Sequence, residues 1–233
     1  MFTFLPTRSM FLGAIDKHRH YWSIPSYRQS IFFGLLFLSL SVIFNHYSTL
    51  YATLRADNTV SDLLLDNLPI MNVDFIVNEG AVMFIAYLAI LLLWEPRKIP
   101  FVLKSVAFFV FTRAVFITFT HLGTIPNHSY LDPTEIFKAL SIGGDYFFSG
   151  HTGMPFLVGL IFWHDFHARV TFFVISGIFA VSVILGHLHY SIDVFAAFFI
   201  THSIYVLAKR FFTNDYILFN TKDADKIHKP VAL

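Results

Sequence analysis

Six apolar segments dominate this chain, at roughly 30–50, 73–94, 100–122, 147–164, 170–188 and 191–208, and each approaches the ~20 residues an α-helix needs to cross a bilayer. With 56% hydrophobic and only 13% charged residues, and a mean hydropathy of +0.63, the composition excludes an ordinary soluble domain. The expectation is an all-α integral membrane protein: a six-transmembrane-helix bundle over 29–211, an interfacial segment over 1–28 before it, and a tail over 212–233 after it. The connections around Asp165-Phe166-His167-Ala168-Arg169 and Leu188-His189-Tyr190 leave room only for tight turns, so the last three helices should be antiparallel neighbours.

The first segment has no apolar core ending in a small-residue cleavage site, so it does not read as a signal peptide. Trp22 and Tyr27 suit the headgroup layer. Lysine and arginine set the orientation. Arg97, Lys98, Arg169, Lys209 and Arg210 fall on the side of the two termini, whereas the first and third loops carry Arg55 and Lys138. That bias puts both termini in the cytosol. A net charge of +1 with dispersed basic residues gives no footprint for nucleic acid. Without cysteine there is no disulfide, thiolate metal site or thiol nucleophile, and serine, histidine and carboxylate groups must carry any chemistry.

Those groups converge. Counted along their helices, Glu79 lies about 9 Å, Arg113 about 13 Å, and His151 and Asp193 about 6 Å below the outer ends. Charged groups at such depths are costly unless paired or used, and Arg113 calls for a partner, either Glu79 or an anionic ligand. Lys104, near the inner end, can snorkel. The stretch Gly143-Gly144-Asp145-Tyr146-Phe147-Phe148-Ser149-Gly150-His151-Thr152 sets His151 behind a Ser149-Gly150 turn where loop gives way to helix. His189 and Asp193 stand four apart, on one face of another helix. An anion held there is favoured by the helix N-termini and by a glycine that lets backbone approach ligand. Phosphate is the obvious anion at a lipid surface. Asp193 can hold one ring nitrogen of His189 and leave the other aimed at phosphorus; His151 can serve as acid and then base; Arg113 can neutralise phosphoryl oxygens.

The blocks Gly144–Thr152 and His187-Leu188-His189-Tyr190-Ser191-Ile192-Asp193-Val194, with Thr201 beyond them, resemble the two signature blocks of the sphingomyelin synthase family. That family is the sphingolipid branch of the type 2 phosphatidic-acid phosphatase superfamily. Two weaker matches lie upstream: Asp66-Asn67-Leu68-Pro69 with Glu79, and Arg113 through Thr120 to Pro126. The resemblance implies six helices with an exoplasmic site. It also implies transfer of a phospho-headgroup from a glycerophospholipid donor to a lipid alcohol, ceramide or diacylglycerol-like, through a phosphohistidine, without a cofactor or metal. His151, His189 and Asp193 take the catalytic positions, and Glu79, Arg113, Asp145, Ser149, Gly150 and Tyr190 are the expected substrate- and phosphate-binding residues. Gly143 departs from the family, which commonly has cysteine there.

Rival readings are a lipid phosphatase or a phospholipase C-type hydrolase using water. The superfamily's phosphatases add a basic cluster and an arginine six residues before the second histidine; here that position is Val183. A cation-poor site suits the single charge of a phosphodiester better than the two charges of a monoester. A histidine-box metal enzyme is disfavoured because His164 and His167 belong to the loop opposite His187 and His189. A channel is disfavoured because no polar face continues through the inner leaflet.

Overall fold

The computed structural model describes residues 8–56, 59–123, 125, 128–129 and 147–221. Helices are numbered here among those residues. They are α1 (Arg8–Ser23), α2 (Pro25–Arg55), α3 (Asp74–Trp94), α4 (Ile99–Phe119), α5 (Gly150–Ile161), α6 (Phe166–Leu185), α7 (Ser191–Phe211) and α8 (Thr213–Asn220), with a 3₁₀ turn, Pro96–Lys98, leading into α4. Five helical stretches among the described residues are long and apolar enough to cross a membrane: Pro25–Arg55, Asp74–Trp94, Pro96–Phe119, Phe166–Leu185 and Ser191–Phe211. The protein is an all-helical integral membrane protein.

The segment expected to span at 147–164 behaves differently. Its helix, α5, has 12 residues, about 18 Å, short of the ~30 Å hydrocarbon thickness. Ser149 stops it at one end by accepting the Thr152 N–H (3.4 Å), and the turn at Phe162–His164 stops it at the other. A short helix enclosed by longer ones starts below the end of the bundle. The next turn follows the expectation, since Asp165 caps α6 by accepting the Ala168 N–H (3.1 Å).

α2 and α4 run parallel along most of their length, as Phe44 against Phe111 (5.6 Å between centroids), Ser48 bonded to Thr118 (3.0 Å) and Tyr51 against His121 (5.3 Å) trace out. On α2 the buried Tyr27, Ile31, Gly34, Ser41, Ser48 and Ala52 recur in steps of three, four or seven. This is a seam with small residues where two membrane helices approach. The main core lies between α4, α5, α6 and α7, around the fully buried Phe101, Phe109, Phe148, Leu157, Phe162 and Phe172. α5 fits because it is thin. A Cβ at Gly153 would lie 2.8 Å from Thr201 Oγ1 and 2.9 Å from the Phe109 ring.

Both ends of the described chain gather at one end of the bundle. Lys17 pairs with Glu95 (2.6 Å), Tyr27 donates to the Pro96 carbonyl (2.8 Å), and Lys98 sits over the rings of Phe162 (4.7 Å) and Phe219 (5.5 Å). α8 packs back against α4 and the Pro96–Lys98 turn. Lys104, expected to snorkel, donates to Asp215 Oδ2 (2.6 Å) and Ser30 Oγ (2.7 Å), and Ser30 donates to Asp215 Oδ1 (2.6 Å). The three groups close a ring tying α8 to α2 and α4.

Two outcomes follow from this packing. Asp215→Asn strips Lys104 of its counter-charge in a nearly dry setting; it is expected to lower the unfolding midpoint in detergent by roughly 4 °C or more and to expose the chain after Phe212 to limited proteolysis. Gly153→Ala is expected to destabilise by about 1–3 kcal/mol, measured by the same thermal unfolding, because a large ring and Thr201 must both move.

Candidate active site

The other end of the bundle collects the polar residues, and one backbone bond organises them. The Ser149 N–H donates to the Asp193 carbonyl (3.2 Å), so the starts of α5 and α7 meet. Just before Ser149, the fully buried Phe148 takes a φ of 26°, in the left-handed region that side chains rarely adopt. Its carbonyl accepts the Nε of Arg113 on α4 (3.1 Å). Gly150 then lies against that guanidinium: a Cβ there would be 3.5 Å from Nε and 3.8 Å from Cζ. Strained backbone, a buried arginine and a helix start with its first-turn N–H groups form the anion-attracting side of the site.

Facing it, His189 Nδ1 stands 3.7 Å from Asp193 Oδ2. Asp193 is wholly buried and His189 nearly so. The separation is longer than a hydrogen bond, and His189 Nδ1 and Asp193 Oδ1 are both buried without a hydrogen-bond partner. Catalytic hydrogen bonds are often long without substrate and tighten with it. Oδ2 meanwhile accepts the Tyr190 N–H (3.2 Å) and the Asp193 N–H donates to the Tyr190 carbonyl (3.0 Å), which fixes the carboxylate one turn beneath the imidazole. His189 thus turns Nδ1 toward Asp193. His151, half-buried on the first turn of α5, sets its ring edge-on to Phe179 of α6 (5.7 Å, 81°).

The structure brings His189, Asp193, Arg113, Ser149, Gly150 and His151 to this end. Ser149 uses its hydroxyl as the α5 cap. Tyr190 is buried beside them, but its hydroxyl donates to the Gly123 carbonyl (3.0 Å), so it ties in the chain after α4 instead of reaching for phosphate. Glu79 is not gathered. Val77, Ala81 and Phe84 turn toward the bundle, which puts Glu79 on the opposite, exposed face of α3. Asp145 lies outside the described residues.

Sequence reasoning missed Asp62. From the connection between α2 and α3 it reaches the start of α7, where Oδ2 accepts the Ser191 N–H (2.7 Å), while Oδ1 accepts those of Leu64 (2.9 Å) and Leu65 (3.2 Å). An Asp accepting N–H groups two and three residues on is a local turn signal; its bond to residue 191 leaves no such trace. Burial pushes the Asp62 carboxyl up, but the bonds from Ser191, Leu65 and Leu64 outweigh burial and hold it below the usual carboxylate range. The two helix starts are therefore unlike: at α7 the Ser191 N–H is occupied by Asp62, and two carboxylates, Asp62 and Asp193, gather there, whereas the start of α5 lies against Arg113.

Residues 143–210 match the PAP2 superfamily C-terminal family. No curated protein and no solved structure matches the chain significantly. The matched stretch, less than half of the chain, holds His151, His189 and Asp193. Members of that superfamily are phosphoric ester hydrolases or phosphotransferases, which supports a phosphatase- or phosphotransferase-type lipid enzyme.

Because the Asp62 carboxyl is held low, its contribution to stability is present above the unfolded value of an aspartate, about 3.9, and is lost as the pH falls through its lower folded value. Asp62→Asn should therefore be less stable than the native protein at neutral pH, and the gap should close below about pH 4. Thermal unfolding across pH 3–7 reads this directly.

Proposed function

We propose that the protein transfers a phosphoalcohol headgroup from a glycerophospholipid to a lipid alcohol by double displacement, at the exoplasmic face. The observation that carries this reading is the buried His189 and Asp193 pair, set against an α5 start backed by Arg113. In the first step His189 Nε2 attacks phosphorus. The bond from phosphorus to the diacylglycerol oxygen breaks, and His151 gives that oxygen its proton. A phosphoramidate then links Nε2 to the headgroup phosphate, and the Asp193 carboxylate accepts a hydrogen bond from Nδ1–H of the cationic ring. In the second step His151 takes the proton of the acceptor hydroxyl, whose oxygen attacks phosphorus. The phosphorus–nitrogen bond breaks and Nε2 regains its lone pair. Arg113 and the first-turn N–H groups of α5 hold the phosphoryl oxygens as charge builds on them.

The charge balance favours diesters over monoesters. Arg113 is the one buried lysine or arginine among the described residues, while Asp193 and Asp62 bring two buried carboxylates to the same end. One cation against two anions suits a singly charged phosphate. Positive charge bias at the end carrying α1 and α8, with the site at the other, supports the exoplasmic assignment. Hydrolysis by the same histidines is the second reading, favoured by the family match, which spans hydrolases and transferases alike.

Purified protein in mixed micelles, given headgroup-labelled phospholipid with ceramide or diacylglycerol, is expected to move label into a second lipid, and His189→Ala is expected to abolish this. Label released only as water-soluble phosphoalcohol would make the enzyme a hydrolase. Arg113→Ala should lower kcat about 10²-fold. Glu79→Gln, altering an exposed helix face, should change turnover less than about twofold.

A further inference from the structure

The turn that carries His189 is held from outside on both of its flanks. On the α6 flank the Met71 N–H donates to the Leu185 carbonyl (2.8 Å) and the Ser129 N–H to the Gly186 carbonyl (2.8 Å). Gly186 also lies so close to Val73 that a Cβ there would collide with it. On the α7 flank Asp62 accepts the Ser191 N–H (2.7 Å). Ser191 stands midway between His189 and Asp193 and is the first residue of α7. A hold on its amide fixes where the helix begins relative to Tyr190, which enters it in an extended conformation with a ψ of 151°.

Asp62 is itself braced for this contact. Its Oδ1 accepts the N–H groups of Leu64 (2.9 Å) and Leu65 (3.2 Å), its own N–H donates to Asp66 Oδ2 (3.2 Å), and the Asp66 N–H donates to its carbonyl (2.8 Å). Leu65, in the same turn, is buried in a cluster with Ile125 and Tyr190. The buried carboxylate is thus delivered from a fixed turn, with one oxygen spent on that turn and the other on α7. Asparagine offers a single acceptor oxygen, so its NH₂ would meet either the Leu64 and Leu65 amides or the Ser191 amide.

The separation of 3.7 Å between His189 Nδ1 and Asp193 Oδ2 must close by about 0.5–1 Å to make a hydrogen bond. The angle at which the residues before Ser191 enter α7 decides whether it can. We propose that Asp62 is a positioning residue for the reaction: through the Ser191 amide it holds the first turn of α7 so that Asp193 stays within reach of His189. The proposal rests on His189 and Asp193 being the reacting pair of the function proposed above. Loss of the bond would leave phosphate binding at Arg113 and α5 in place and would slow the attack by His189.

Ser191→Pro tests the bond from its other side. Proline is tolerated at the first helical position and favours an extended residue before it, as Tyr190 is, so the substitution removes the N–H and keeps the Asp62 charge. Turnover of headgroup-labelled phospholipid is followed well below each variant's unfolding midpoint, with label counted in lipid and water-soluble products alike. Ser191→Pro and Asp62→Asn should each lower kcat about 10²-fold, with KM changed less than about twofold. The double variant should fall no further than the weaker single one, because both remove the same bond. Ser191→Ala, which keeps the amide, should retain most of the turnover. Native kcat in Ser191→Pro beside a loss in Asp62→Asn would make charge the operative feature, and losses that multiply in the double variant, or that fall on KM, would mean independent damage; each overturns the proposal. Asp62→Glu, which keeps the charge and displaces the oxygens, replaces Ser191→Pro if the latter does not fold, and native kcat there would overturn it equally. The imidazole NMR signals of His189, assigned by their loss in His189→Ala, read the displacement without chemistry: they should move in Ser191→Pro and in Asp62→Asn, and unmoved signals would refute the positioning role. Protein that turns over no phospholipid would overturn the function proposed above and leave that spectroscopic comparison to decide this one.

Discussion

The bond from the Ser149 amide to the Asp193 carbonyl is the constraint on which the rest of the site depends. It joins the beginnings of two helices whose sequences lie more than forty residues apart, and it holds a left-handed Phe148 in place just upstream. Because Phe148 turns there, its carbonyl meets Arg113. Because α7 starts there, Asp193 lies one turn below His189. The thinness of α5 at Gly153 lets the two helices stay close after they meet. A membrane bundle can maintain this arrangement since its long helices fix the frame while one short helix is free to begin inside it.

Electrostatically the two helix starts do different work. At α5 an arginine and the positive end of the helix favour an anion. At α7 one carboxylate from outside the helix, Asp62, and one within it, Asp193, place negative charge beside His189. Asp62 brings this charge from the connection between α2 and α3. The remote end is built for another purpose, with Lys17, Glu95, Lys104 and Asp215 clasping α1 and α8 to the bundle.

Much of this was legible from composition and spacing, and the reasons for the rest are physical. The long apolar segments, the Asp165 turn and the four-residue step from His189 to Asp193 are local features, and local periodicity encodes them. The length of α5 was not legible, because Phe147 and Phe148 before its cap and Phe162 after its end are as apolar as the helix itself. The direction of Glu79 was hidden for a related reason. Beyond Glu79 α3 is apolar on every side, so nothing in that stretch marks which face packs. Asp62 with Ser191, and Lys104 with Asp215, are contacts between residues more than a hundred positions apart, and no window of sequence contains them. His187 looked like a loop histidine until its backbone proved left-handed and its ring buried.

The account stands most directly on a covalent intermediate at one named atom. Rapid acid-free quenching of the enzyme with phosphorus-labelled donor lipid, followed by alkaline digestion conditions and peptide mapping, would show where label attaches. The account predicts an acid-labile, base-stable phosphoramidate on the peptide that holds His189, forming without acceptor and discharged when a lipid alcohol is added. Label on His151, or full turnover with no protein-bound label at any time, would contradict it.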